Sequence, residues 1–467
     1  MRSLLFFLLL VSGGGFLQGE VLNFALTFDP GDLEVIRQGN AVQLRFRGAL
    51  PEIWPGKPEI PSLGIHAVIP RNSTVDHIEV VEVDEEPVLK QVFVRPSQFP
   101  RVPGYIEPEA VPPDPGIYSL NERFPENVVE FVTCGNLSGY RLAGFKAYPV
   151  RYNPVKRTVY LVKKVAFRVY LRPAEPPELF AYRKDERVFK KWKEAVASLV
   201  VNPEDLERYG PPTKPVRPRG GFGAGLMPSL DDNPYDLLII TTEEMENVFK
   251  EMAQWKTEQG IPATVRTVSW IENNYSGSDL AEKIRYFIRD AYRYWGIQWV
   301  LLGADSPEIP LRVVYVNVSS GPAINKYVPT DMYYACLDGN WNADLDTTFG
   351  EPLTDSADFY PEVLVSRVPV RNAEEAELFF EKLRKYVEDP DLSYLEKALF
   401  VGTEMQFYPG DGASLCDTIL QHLPPYFQKN RMYEIEGYHS TEEFVDSLYS
   451  GQHIVFTESH GNVGWFS

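Results

Sequence analysis

Residues 211–233 (PPTKPVRPRGGFGAGLMPSLDDN) divide the chain into two stretches of different rhythm. The segment is rich in Pro and Gly and has no periodic apolar pattern, which is the composition of an exposed tether. Arg217 and Arg219 within it are candidate processing points. Upstream, residues 20–210 show short alternating runs such as Ala41–Phe46, His77–Val81 and Thr158–Val162, punctuated by Pro and Gly. Alternation with period two at that spacing predicts a β-sandwich domain. Helical periodicity is weak there until Phe189–Leu199.

Downstream, residues 234–467 alternate apolar strands with amphipathic helices. Strands are expected at Asp236–Thr242, Ala263–Val268, Trp299–Gly303, Val363–Val368, Leu399–Thr403, Tyr433–Ile435 and His453–Thr457. Helices are expected up to Glu258 and over Asp279–Trp295, Ala373–Val387, Ala413–Leu423 and Thr441–Tyr449. That order predicts an α/β domain built on a mainly parallel sheet with both faces covered. Chemistry in such sheets collects at the carboxyl ends of the strands.

The chain opens with Met1-Arg2 and an unbroken apolar run, Leu4–Val11, closed by Gly13-Gly14-Gly15. Residues 1–19 therefore read as a secretory signal, too short to anchor in a bilayer. The expected location is secreted or cell-surface in a bacterial setting, with no membrane span in the mature chain. With 46 basic against 65 acidic residues the net charge is −19, which argues against nucleic acid and anionic membranes as partners. Three cysteines, Cys134, Cys336 and Cys416, are too few for a disulfide framework and fit no zinc spacing.

The last strand runs into Thr457-Glu458-Ser459-His460-Gly461. His460 stands where an open α/β sheet places reacting groups, and the Gly461 amide could help hold an oxyanion; a plain loop pair is the alternative. Glu404, after strand Leu399–Thr403, could orient an imidazole or be a surface carboxylate. In Asp331–Glu351, the residues Asp338, Asn340, Asn342, Asp344 and Asp346 alternate, with Glu351 beyond. Oxygen ligands at every second residue suit a structural calcium ion, although Ala343 and Phe349 break the EF-hand pattern. A solvated acidic turn is the rival.

Several runs carry a family resemblance: Tyr235–Thr242, Trp255-Lys256, Val300–Gly303, Thr330–Tyr334, Leu337-Asp338-Gly339, Pro361-Glu362-Val363, Gly410-Asp411-Gly412 and His460-Gly461. Their order resembles the catalytic domain of gingipain-type cysteine peptidases, relatives of the caspases. Gly56–Pro61 and Ala67–Pro70 resemble the propeptide of that family. The resemblance implies a β-sandwich prodomain followed by a caspase-like three-layer αβα domain, incomplete at its C-terminus.

It further implies a secreted endopeptidase precursor acting on proteins or peptides, with its own prodomain as intramolecular inhibitor. His460 and a cysteine would form the catalytic dyad, with Gly461 in the oxyanion hole and Glu404 supporting the histidine. Asp411 or Asp417 would lie beside the substrate pocket. In that family the nucleophile follows the His-Gly pair, whereas all three cysteines here precede His460. The polypeptide as given is therefore expected to be inactive. A non-catalytic surface or adhesion protein on the same scaffold is the other class that the sequence permits.

Overall fold

The computed structural model describes residues 20–99, 109–174, 186–210, 235–315, 327–351, 354–357, 359–403, 411–437, 440–459, 461–462 and 465–466. The expected leader (1–19) and the expected tether (211–233) lie outside these residues. The chain divides into two compact units: Met1–Ser97, Pro113–Val318 and Ala323–Leu378, and then Gln98–Pro112, Ser319–Pro322 and Phe379–Ser467.

In the first unit, the described residues up to 210 build three β-sheets. One is antiparallel around the long strand Thr158–Pro173, which pairs with Val21–Thr27, Val150–Asn153 and Ser73–Leu89. A second joins Leu50–Pro51, Pro61–Ile69, Tyr140–Ala147 and Val129–Leu137, also antiparallel. The third combines Leu33–Gln38, Ala41–Phe46 and Phe93–Val94, with its last pairing parallel. The alternation seen in the sequence sorts these strands by face. Val165, Phe167, Val169 and Leu171 are buried, while Lys164, Arg168 and Arg172 turn outward. Ser138 and Gly139, both at positive φ, close a two-residue hairpin between Leu137 and Tyr140.

The ribbon formed by Ser73–Leu89 and Thr158–Pro173 has a charged outer face. Glu79, Glu82, Asp84 and Glu86 on the first strand pair with Arg168, Lys164 and Lys163 on the second.

The same unit carries a parallel sheet in the order Ala263–Thr267, Leu237–Thr241, Trp299–Gly303, Leu364–Arg367. Helices Glu246–Glu258 and Leu280–Tyr294 accompany it, the second capped by Asp279, whose carboxylate accepts from the Glu282 amide at 2.8 Å. Some elements here have no counterpart in the expectations. Helix Val268–Asn274 starts directly after a strand, capped by Thr267. Strands Arg312–Tyr315 and Tyr327–Thr330 form an antiparallel pair.

The second unit holds a parallel sheet in the order Gln428–Tyr433, Lys397–Gly402, Ile454–Glu458, with helices Asp411–Leu420 and Thr441–Tyr449. The expected short strand Tyr433–Ile435 is displaced: the strand is Gln428–Tyr433, and Ile435 falls in a 3-10 turn. Its first four residues, Gln428 to Arg431, are polar, so apolar periodicity cannot reveal it. Backbone pairing with Lys397–Gly402 makes it a strand. The architecture is α/β, and no helix among the described residues is long and apolar enough to cross a membrane.

Candidate active site

Two strand exits in the second unit are tied together by one residue. The Thr403 amide donates to the Glu458 carbonyl at 2.9 Å, and its hydroxyl donates to the same oxygen at 3.1 Å. Thr403 follows strand Lys397–Gly402, and Glu458 closes the parallel neighbour Ile454–Glu458. In sequence, Glu404 is next after Thr403 and His460 is second after Glu458. Glu404 and His460 themselves lie outside the described residues. Gly461 starts a two-residue strand that pairs antiparallel with Trp465–Phe466.

Helix Asp411–Leu420 begins against this edge because two glycines allow it. A methyl group on Gly402 would come within 2.8 Å of the Ala413 amide nitrogen, and one on Gly412 would overlap the Thr403 carbonyl oxygen. The partial positive charge of a helix start is thus brought to the strand exit. Asp411 opens that helix, but its side chain lies outside the described set. Asp417, in the middle of the helix, accepts from the Tyr433 hydroxyl at 2.8 Å and faces Arg431 at 3.7 Å.

The environments of the cysteines bear directly on nucleophilic chemistry. Cys416 is buried beneath the strand exit, its Sγ 3.5 Å from the Val401 carbonyl oxygen. Burial, reinforced by the Glu458 charge, pushes its thiol up to about 11, the opposite of an activated thiolate. Cys336 is fully buried and Cys134 half-buried, and neither is in a disulfide.

Of the six acidic-segment candidates, the structure brings three together. Carboxylate oxygens of Asp344, Asp346 and Glu351 lie within 4.8 Å of one another. Loss of water and the charges of Asp346, Asp344 and Asp355 raise the Glu351 carboxyl above its ordinary range. The other three have different roles. Asn340 Oδ1 accepts from the Asn342 amide, and Asn342 Nδ2 donates to the Asp346 carbonyl. Asp338 is buried and accepts from Asn136 Nδ2 at 2.5 Å.

Sequence reasoning missed Asp355, whose carboxylate accepts from the Ala343, Gly350 and Glu351 amides and so shapes the loop. It missed two further supports of the Thr330–Gly339 run. Arg285, buried, donates to the carbonyls of Tyr333, Cys336 and Asp338. Arg367 forms a two-point pair with Asp331 at 2.7 and 2.9 Å. Only a buried Arg inside a predicted helix, Arg285, could have hinted at this.

Comparison with known proteins identifies the group to which this arrangement belongs. The family model described as peptidase family C25 matches residues 230–466, and the C25 propeptide model matches residues 35–197. The chain belongs to peptidase family C25. It is thus a gingipain-type, cysteine-type endopeptidase chain carrying a propeptide ahead of its peptidase region.

Among solved structures, it is similar to the complex of Porphyromonas gingivalis RgpB pro- and mature domains. That match has 16% identity, 39% of this chain, 92% of that chain and a TM-score of 0.31. A structure concerning zymogenic latency of gingipain K from Porphyromonas gingivalis matches at 19% identity, 33% and 88% coverage and TM-score 0.28. Gingipain R (RGPB), an Arg-specific cysteine proteinase, matches at 18% identity, 50% and 48% coverage and TM-score 0.37. The chain spans about half the length of that last protein. No curated protein matches it.

Proposed function

We propose that this chain is the precursor form of a secreted cysteine endopeptidase that hydrolyses peptide bonds in proteins or peptides through a Cys–His dyad. The supporting observation is the presence, in one chain and in order, of the C25 propeptide and peptidase matches. On this reading residues 1–19 are a leader, 20–210 a β-sandwich propeptide, 211–233 the cut tether and 234–467 a caspase-like three-layer peptidase region.

His460 takes the proton from a cysteine thiol, and the thiolate attacks the scissile carbonyl carbon. The Gly461 amide steadies the resulting oxyanion. The imidazolium then protonates the departing amine, and water releases the acyl group from sulfur. Glu404 orients the imidazole, and Asp411 and Asp417 stand beside the substrate pocket. None of Cys134, Cys336 and Cys416 is the nucleophile, since the two buried thiols are shielded and Cys134 sits on propeptide strand Val129–Leu137.

A structural calcium ion fits the Asp344, Asp346 and Glu351 cluster, whose mutual repulsion a hard cation would relieve. It would hold the loop and take no part in the chemistry.

The shielded cysteines also favour a second reading, a non-catalytic secreted surface or adhesion protein on the same scaffold. Sequencing the gene beyond codon 467 and assaying the encoded protein separates the two. A buried strand followed by a cysteine, with thiol-dependent peptide hydrolysis lost in His460→Ala, supports the peptidase. A stop codon at that point, with no hydrolysis, supports the surface protein.

A further inference from the structure

The hydrophobic core of the chain before the tether is its own, with one exception. Its buried members run from Leu22 to Tyr209. Among the described hydrophobic residues packed against it, only Tyr360 comes from beyond residue 210.

Tyr360 lies in a notch cut by glycines. A methyl group on Gly135 would overlap the Tyr360 ring, and one on Gly144 would sit 3.4 Å from its hydroxyl. His66 meets the ring edge-on, centroids 5.9 Å apart. Gly135 is not at positive φ, so the backbone there does not itself demand glycine. The Tyr360 ring is what excludes a side chain.

The next residue along the strand makes a second contact. Asn136 Nδ2 donates to Asp338 Oδ2 at 2.5 Å, with both residues buried. Arg141 donates to Asn136 Oδ1 at 3.2 Å, which sets the amide's orientation. A buried hydrogen bond to a carboxylate is among the stronger kinds.

Tyr360 and Asp338 share one rigid support. Glu362, buried, accepts from the Leu337 amide at 2.6 Å, while its own amide donates to the Ala335 carbonyl. Arg285 fixes the Asp338 carbonyl at 2.9 Å.

We propose that Tyr360 and Asp338 form a two-point clasp on Gly135 and Asn136 that retains the propeptide on the peptidase region after the tether is cut. This rests on reading residues 20–210 as the propeptide. The clasp requires no active-site residue, so retention and catalysis can fail separately.

The test uses the full chain with Arg217–Arg219 replaced by the site of a sequence-specific protease, nicked and then passed over a sizing column. Melting curves of the uncut protein confirm that each variant is folded. Wild-type halves should co-elute, and Tyr360→Phe should behave alike. Gly135→Ala should weaken retention by on the order of tenfold. Tyr360→Ala should weaken it too, and adding Tyr360→Ala to Gly135→Ala should cost less than the sum of the two. Wild-type halves that separate on nicking, or retention unchanged by both single variants, would overturn the clasp. Intact clasp-dependent retention in an extended protein without hydrolysis would overturn the peptidase reading alone.

Discussion

Thr403 directs both its amide and its hydroxyl to the carbonyl of Glu458. The two exits from adjacent parallel strands are thereby fixed to each other through a shared acceptor, independent of the ladder behind them. A β-branched residue suits that post, because its restricted χ1 holds the hydroxyl in place. In sequence, Glu404 follows Thr403 directly and His460 comes two residues after Glu458.

The thiol at Cys416 should be inert in the folded protein. With its ionisation pushed up to about 11, only about one thiol in a thousand is a thiolate at pH 8, and burial restricts access further. Iodoacetamide labelling followed by peptide mass mapping should find Cys416 unmodified in native protein and modified after denaturation. Native labelling of Cys416 faster than of half-buried Cys134 would contradict the assignment.

Asp290 should make stability depend on pH. Burial raises its carboxyl to about 6, against smaller opposing effects of the Tyr275 hydroxyl, Arg293 and Arg289. In the unfolded chain an Asp titrates near 3.9, so the folded state holds the proton more tightly. Its contribution is fully present below about pH 4 and is lost as pH rises through about 6. Asp290→Asn should therefore leave the urea midpoint unchanged at pH 4 and raise it at pH 7.5. An equal effect at both values would show that the change is not one of ionisation.

Calcium should stabilise the first unit measurably. At about one hundred times its dissociation constant, a ligand binding only the folded state adds about 2.7 kcal/mol. Millimolar calcium should raise the melting temperature of wild-type protein, and Asp344→Asn with Asp346→Asn should abolish the rise. Because the Glu351 carboxyl is raised, the effect should weaken as pH falls and that group takes up a proton. A melting curve indifferent to calcium at neutral pH would remove the ion from the proposal.

What could be read from the sequence follows physical lines. Leu237–Thr241 and Trp299–Gly303 were legible because buried parallel strands must be apolar on both faces. Gln428–Tyr433 was not, since its polar residues are recruited by backbone pairing. The acidic alternation Asp338–Asp346 was visible, yet its division was not. Asp338 turns to Asn136, a partner 202 residues away, and Asp355 acts through backbone amides that converge only in the folded loop. For Glu404 and His460 the sequence position was readable, while their side chains lie outside the described residues.

The outer face of the Ser73–Leu89 ribbon has one more consequence. The ion pairs that join it to Thr158–Pro173 are acidic on that strand and basic on its neighbour. Among the described strands Ser73–Leu89 pairs only with Thr158–Pro173, and open edges invite association with another copy. If two molecules met there, glutamates would face glutamates, and like charges opposite each other repel. The strand accepts its own partner and refuses its twin, a safeguard that concentrated salt would weaken.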